Sequence, residues 1–225
     1  MPDTEPIARS PIRIAGPAQI RFGWEVSAVR STAALRLGDR TPLAKVLVRA
    51  APEGRLAAAL GVPFGLAARD DHATLVIGSG PGEWLLVGPP GSSAELAGRI
   101  ETADDALVSV LDFTHGRALL RLTGPDGARA LAMLCPVDLA DRTTPDGAAF
   151  RSAVAGLATD VVRDDVDGTR SYLLHCERSS GQFLFDALLD AGGEYGIEPD
   201  GFGYPENSVQ LFEQVAAAEA DGSAE

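Results

Sequence analysis

The sequence runs to 225 residues, of which 45% are hydrophobic and 23% charged, a composition that supports a sizeable core and excludes bulk disorder, collagen or a coiled coil. Its 19 basic against 32 acidic residues leave a formal charge of −13, the wrong sign for a phosphate-backbone binder, so no nucleic-acid partner is expected.

Residues 1–19 read as an extended, unpaired arm, because Pro2, Pro6, Pro11 and Pro17 deny ladder hydrogen bonds. From Ile20 an alternation of Ile20, Phe22, Trp24 and Val26 with polar or small residues predicts one half-buried strand. Leu43–Arg49 predicts a second. An Ala-rich segment, Glu53–Leu60, predicts a short helix stopped by Gly61 and Pro63. Ala73–Ile77 and Glu83–Val87 then predict a hairpin joined through Gly78-Ser79-Gly80-Pro81-Gly82.

Ser92 or Ser93 caps a helix to about Ile100, followed by strands at Ala106–Asp112 and Arg117–Leu122. Pro125 suits the first turn of the next helix, whose Ala128, Leu131, Ala132 and Cys135 recur at helical spacing. Cys135–Gly147, with Pro136, Pro145 and many charges, predicts an irregular connection. Strands follow at Phe150–Ala155, Leu157–Arg163 and Ser171–Cys176, the last beyond an Asp167-Gly168 turn. Ser179 and Gln182 have capping-box spacing and open a helix with an apolar face of Phe183, Phe185, Leu188 and Leu189, ended by Gly192. Val209, Phe212, Val215 and Ala216 suggest a C-terminal helix. Short strands with local hairpins and single helices predict an α+β fold of mixed or antiparallel sheets rather than a doubly wound parallel one.

Little chemistry announces itself locally. The glycine cluster Gly78–Gly82 leads into a strand, so it lacks the helix N-terminus that a dinucleotide pyrophosphate requires. His72, His115 and His175 are isolated and carry no metal spacing. Asp112, His115 and Arg117 could orient one another for acid/base work or form an ordinary polar turn. Cys135 and Cys176 are too few for a disulfide framework and read as buried thiols in a reducing compartment. Asp160, inside the apolar run Leu157–Val162, either faces solvent from an alternating strand or is partly desolvated and aimed into a pocket. Among 19 basic residues Lys45 alone is lysine, which reads as compositional bias. No apolar run approaches the ~20 residues of a membrane helix and the N-terminus has no signal-peptide core, so a cytoplasmic protein without a membrane partner is expected.

The order of local motifs is more specific than any one of them. Arg9-Ser10-Pro11, Thr41-Pro42-Leu43-Ala44-Lys45-Val46 and Gly80-Pro81-Gly82-Glu83-Trp84-Leu85-Leu86-Val87-Gly88 come first. Asp112-Phe113-Thr114-His115-Gly116-Arg117, Leu122-Thr123-Gly124-Pro125-Asp126 and Cys135-Pro136-Val137-Asp138-Leu139 follow. Arg178-Ser179 and Ala191-Gly192-Gly193-Glu194-Tyr195-Gly196 close the series. This order resembles the gamma subunit of heterotetrameric sarcosine oxidase, a relative of the glycine-cleavage T-protein and its folate-binding fold, over about residues 9–197.

The resemblance implies an accessory subunit of a complex that oxidatively demethylates sarcosine and passes the one-carbon unit to tetrahydrofolate. Larger flavin-carrying subunits would be its partners and would hold FAD, FMN, NAD and tetrahydrofolate, leaving this chain without a cofactor, a metal or catalytic residues of its own. Of the acidic pair that holds folate in the T-protein, Asp160 is the residue the resemblance retains, which makes it the candidate folate contact. The alternative is a stand-alone, folate-binding, aminomethyltransferase-like enzyme. The implied organisation is an arm at 1–19, a T-protein-like domain at 20–200 with a possible division near residue 103, and an extension at 201–225.

Overall fold

A computed structural model describes residues 6–101 and 107–203, so the expected C-terminal helix and the possible division near residue 103 lie outside the described residues. Apolar alternation builds two large sheets whose inner faces pack on each other. In chain order the elements are β1 (Ala8–Arg9), β2 (Ala18–Arg21), β3 (Trp24–Ser27), β4 (Arg36–Asp39), β5 (Ala44–Arg49), α1 (Arg55–Leu60), β6 (Ala67–Arg69), β7 (Leu75–Gly80) and β8 (Glu83–Gly88). There follow α2 (Ser93–Glu101), β9 (Ser109–Asp112), β10 (Arg117–Thr123), α3 (Gly127–Ala132), β11 (Ala149–Val154), β12 (Leu157–Arg163), β13 (Ser171–Glu177), α4 (Gly181–Ala191) and β14 (Glu198–Asp200).

One sheet has the order β11-β12-β13-β10-β4-β14, a second β6-β7-β8-β5-β9, and a small third sheet β1-β3-β2. Strands β1 and β3, and β4 and β14, pair parallel, while the other ladders are antiparallel, so the α+β fold with mixed sheets is as expected. Helices α3 and α4 cover the outer face of the six-stranded sheet through Leu131, Leu184, Phe185 and Leu188. Helices α1 and α2 cover the outer face of the five-stranded sheet through Leu56, Leu96 and Ile100. Between the sheets Leu43, Leu75, Ile77, Leu85 and Val87 meet Leu119, Val162 and Leu173, and Trp24 and Val26 of the small sheet join the same cluster.

Several local expectations change. The single strand from Ile20 is a hairpin, because Phe22 and Gly23 have φ of 52° and 73° and reverse the chain, and a two-residue turn preserves the alternation that conceals it. Part of the arm is not unpaired: Ala8–Arg9 pairs with Trp24–Glu25, Ile12 is buried, and the Arg13 N–H donates to Gln182 Oε1 at 2.6 Å. That bond takes the side chain expected to complete a capping box. Helix α4 starts at Gly181 after a 3-10 turn over Arg178–Ser180, with no side-chain cap. Its buried face runs through Leu184, Phe185 and Leu188, whereas Phe183 is exposed.

The glycine cluster is a hairpin with a tighter turn than its length suggests. A Cβ on Gly78 would lie 2.2 Å from the Pro63 carbonyl oxygen, so the segment before β6 can press directly on β7. Gly82 has φ of 69° and carries the turn itself.

Candidate functional site

Two connections carry the chain between the large sheets, one from β4 to β5 and one from β9 to β10. Residue types at these crossovers bring them together. Thr41 Oγ1 accepts the Leu119 N–H at 3.2 Å, while Thr114 Oγ1 accepts the Lys45 N–H at 3.0 Å. The Phe113 N–H donates to the Lys45 carbonyl at 2.7 Å. Two of the ordered sequence motifs, Thr41–Val46 and Asp112–Arg117, are therefore neighbours in space.

Lys45 lies at the centre of this junction. Its side chain is fully buried, and Nζ donates to the Thr41 and Leu43 carbonyls, each at 2.7 Å. Burial pulls its pKa down to about 7, although Asp39 and Asp112 favour the charged form. Asp39 is also buried and accepts the Thr41 N–H at 2.8 Å, which helps to hold the β4–β5 crossover closed. Reading Lys45 as compositional bias misses this role; its isolation as the one lysine, within an apolar strand, is the available signal.

A second polar row crosses the inner face of the six-stranded sheet. Arg151 is opposite Asp160 on the neighbouring strand, and Asp160 is opposite His175 on the next. Arg151 Nε and Nη2 donate to the two Asp160 carboxylate oxygens at 2.7 and 3.0 Å, a bidentate clamp. His175 Nε2 stands 3.2 Å from Asp160 Oδ2, but neither imidazole nitrogen has an aligned hydrogen bond, so the pair is a close contact rather than a directed one. Burial drives the His175 pKa down to about 4 against the opposing pull of Asp160. The imidazole is neutral at pH 7.

Asp160 is thus buried, not solvent-facing. Both faces of β12 are covered, and its alternation therefore does not separate water from core. The cavity touching Asp160, walled by Phe64, Ile77 and Phe150, is about 10 Å³, room for at most one water. Sites for drug-sized ligands occupy roughly 300 Å³ or more. With both carboxylate oxygens already on Arg151, these residues do not fit folate.

The other candidates take different partners. His115 stacks on Trp24, with ring centroids 4.8 Å apart and planes 10° from parallel. Arg117 pairs with Glu177 at 2.6 Å, and Asp112 accepts the Thr114 N–H at 2.8 Å. They form no acid/base triad. Cys135 and Cys176 are free and buried, and burial pushes the Cys176 thiol up to about 11. Among the described residues no group of acidic, His and Cys side chains could hold a metal ion, and no helix is long and apolar enough to cross a membrane. Gly78–Gly82 joins two strands, so it offers a flavin or nicotinamide dinucleotide no helix N-terminus.

No family model matches the chain. Sarcosine oxidase subunit gamma of Corynebacterium sp. (strain P-1) is 32% identical over 164 residues, spanning 69% of this chain and 78% of that relative. Among solved structures, a chain of the heterotetrameric sarcosine oxidase from Corynebacterium sp. U-96, in complex with pyrrole 2-carboxylate, superposes with a TM-score of 0.64 at 28% identity. That match covers 74% of this chain and 88% of the other. The glycine cleavage system aminomethyltransferase T from Bartonella henselae shares the fold, with a TM-score of 0.63 at 16% identity over 82% of this chain and 55% of its own.

Proposed function

This chain belongs to the sarcosine oxidase gamma-subunit family, and from that premise we propose that it is the accessory subunit of a heterotetrameric complex. The complex oxidatively demethylates sarcosine and transfers the one-carbon unit to tetrahydrofolate. Larger partner subunits hold the flavins, NAD and folate. The observation that carries this reading is the match to a chain of the solved heterotetrameric enzyme over 88% of that chain's length. A cytoplasmic location goes with it.

The site geometry supports the same division of labour. Asp160 serves as the buried counter-ion of Arg151, and the polar groups at the sheet junction are occupied in holding the crossovers. Exposed Ile20 and Phe64 offer apolar contacts for assembly. Co-expression with the candidate larger subunits tests the proposal. A single co-eluting complex that oxidises sarcosine is expected, while the isolated chain carries no flavin absorbance and no activity. Binding of tetrahydrofolate by the isolated chain, lost in Asp160→Asn, would instead establish the stand-alone aminomethyltransferase.

A further inference from the structure

A cleft opens at the edge of the two-sheet interface, separate from the Asp160 cavity and independent of the assembly role. Its volume is about 290 Å³, near the lower end for small-molecule sites. Leu43, Leu75, Val87 and Leu173 give it an apolar lining, and Arg40, Arg69 and Arg121 bring three guanidinium groups to it.

Among the described residues these arginines are incompletely neutralised. Arg69 Nη2 and Arg121 Nη2 both donate to Asp164, at 3.0 and 2.5 Å to the same Oδ2. Arg40 gives Nη1 to the Asp39 and Gly201 carbonyls at 2.9 and 3.2 Å, whereas its Nη2 stands 3.7 Å from Asp200 Oδ2, beyond a hydrogen bond. Three guanidinium groups thus share the Asp164 and Asp200 carboxylates. Asp39 and Arg30 also act on Arg40, with opposite signs. Among the described residues the cluster therefore holds one more guanidinium than carboxylate, in a chain whose formal charge is −13. Burial and the neighbouring Arg121 hold the Arg40 pKa down to about 10, which is the electrostatic cost an incoming anion would relieve.

We propose that this cleft binds a small amphipathic monocarboxylate, with its carboxylate on Arg40 and its apolar body against Leu43, Leu75, Val87 and Leu173. An alcohol of the same length would lack the charge, and a short carboxylate would lack the body.

Isothermal titration of the full chain with sodium hexanoate, sodium acetate and hexan-1-ol tests it. Saturable 1:1 binding of hexanoate is expected, at least about tenfold tighter than either control, and Arg40→Gln should weaken it about tenfold or more. Val166 is an exposed residue lining the cleft, so Val166→Trp obstructs it without disturbing the core and should abolish binding while the unfolding midpoint is retained. That variant carries the test if Arg40→Gln fails to fold. Absence of saturable hexanoate binding, equal binding of hexan-1-ol, or undiminished binding by a folded Val166→Trp would overturn the proposal.

Discussion

Asp160 and His175 face each other across β12 and β13 with Oδ2 and Nε2 3.2 Å apart, yet the imidazole stays neutral at pH 7 because burial outweighs the carboxylate's attraction. The native pKa of about 4 lies below the unfolded value of 6.5. Between those pH values the unfolded chain binds a proton that the native chain refuses, so stability falls as pH drops through the window. The loss attributable to His175 is about 3 kcal/mol. Urea unfolding of wild type and His175→Gln from pH 7 to pH 4 isolates it, and parallel curves for the two proteins would refute the assignment.

Lys45 gives a dependence at the opposite end of the scale. Its native pKa of about 7 is below the ordinary lysine value of 10.5, so from pH 7 to 10.5 the unfolded chain holds a proton that the native chain has released. Stability therefore rises with pH across that interval, by on the order of 5 kcal/mol. Lys45→Met should remove this rise, and denaturant titrations at stepped alkaline pH measure the difference. An unchanged slope in the variant would show that the ammonium is well solvated.

Trp84 anchors the outer core of the five-stranded sheet. It is buried, and Nε1 donates to the Val62 carbonyl at 2.7 Å. Trp84→Ala should destabilise the chain by about 3–5 kcal/mol through the cavity, with the orphaned carbonyl contributing to the loss. Equilibrium unfolding followed by circular dichroism reads this directly; a loss below about 1 kcal/mol would contradict core placement.

The segment around Arg13 should resist trypsin in the isolated chain. Ile12 is buried, the Arg13 N–H is bonded to Gln182, and the Arg178 guanidinium donates to the Arg9 carbonyl. Cleavage after Arg13 then requires local opening, and Gln182→Ala should accelerate it about fivefold by removing roughly 1 kcal/mol. Mass spectrometry of timed digests gives the rates. Immediate clipping at equal rates in both proteins would mean that the segment is free.

Legibility in the sequence follows the range of the interactions. The β7–β8 hairpin, the Asp167-Gly168 turn and the Gly61 stop are readable because glycine geometry and alternation act over a few residues. Arg36–Asp39 escapes notice as a strand, since its Leu-Gly pair is bounded by charges and its stability comes from β10 and β14 on either side. The hairpin at Phe22-Gly23 is hidden by its own even length. Asp160 and His175 lie on separate strands, and only sheet register places them opposite each other. Lys45 and Thr114 are joined by a crossover contact across 69 positions, which no local pattern encodes.

Enclosing the chain's sole lysine has a practical chemical consequence. An amine-acylating reagent finds no side-chain amine on the native surface, because the one ε-amino group is enclosed at the sheet junction. Acylation at Lys45 therefore reports opening of that junction at a single position. Isotopic labelling at lysine would likewise yield one ε-ammonium resonance, a spectroscopic reporter on the seam where the two sheets meet.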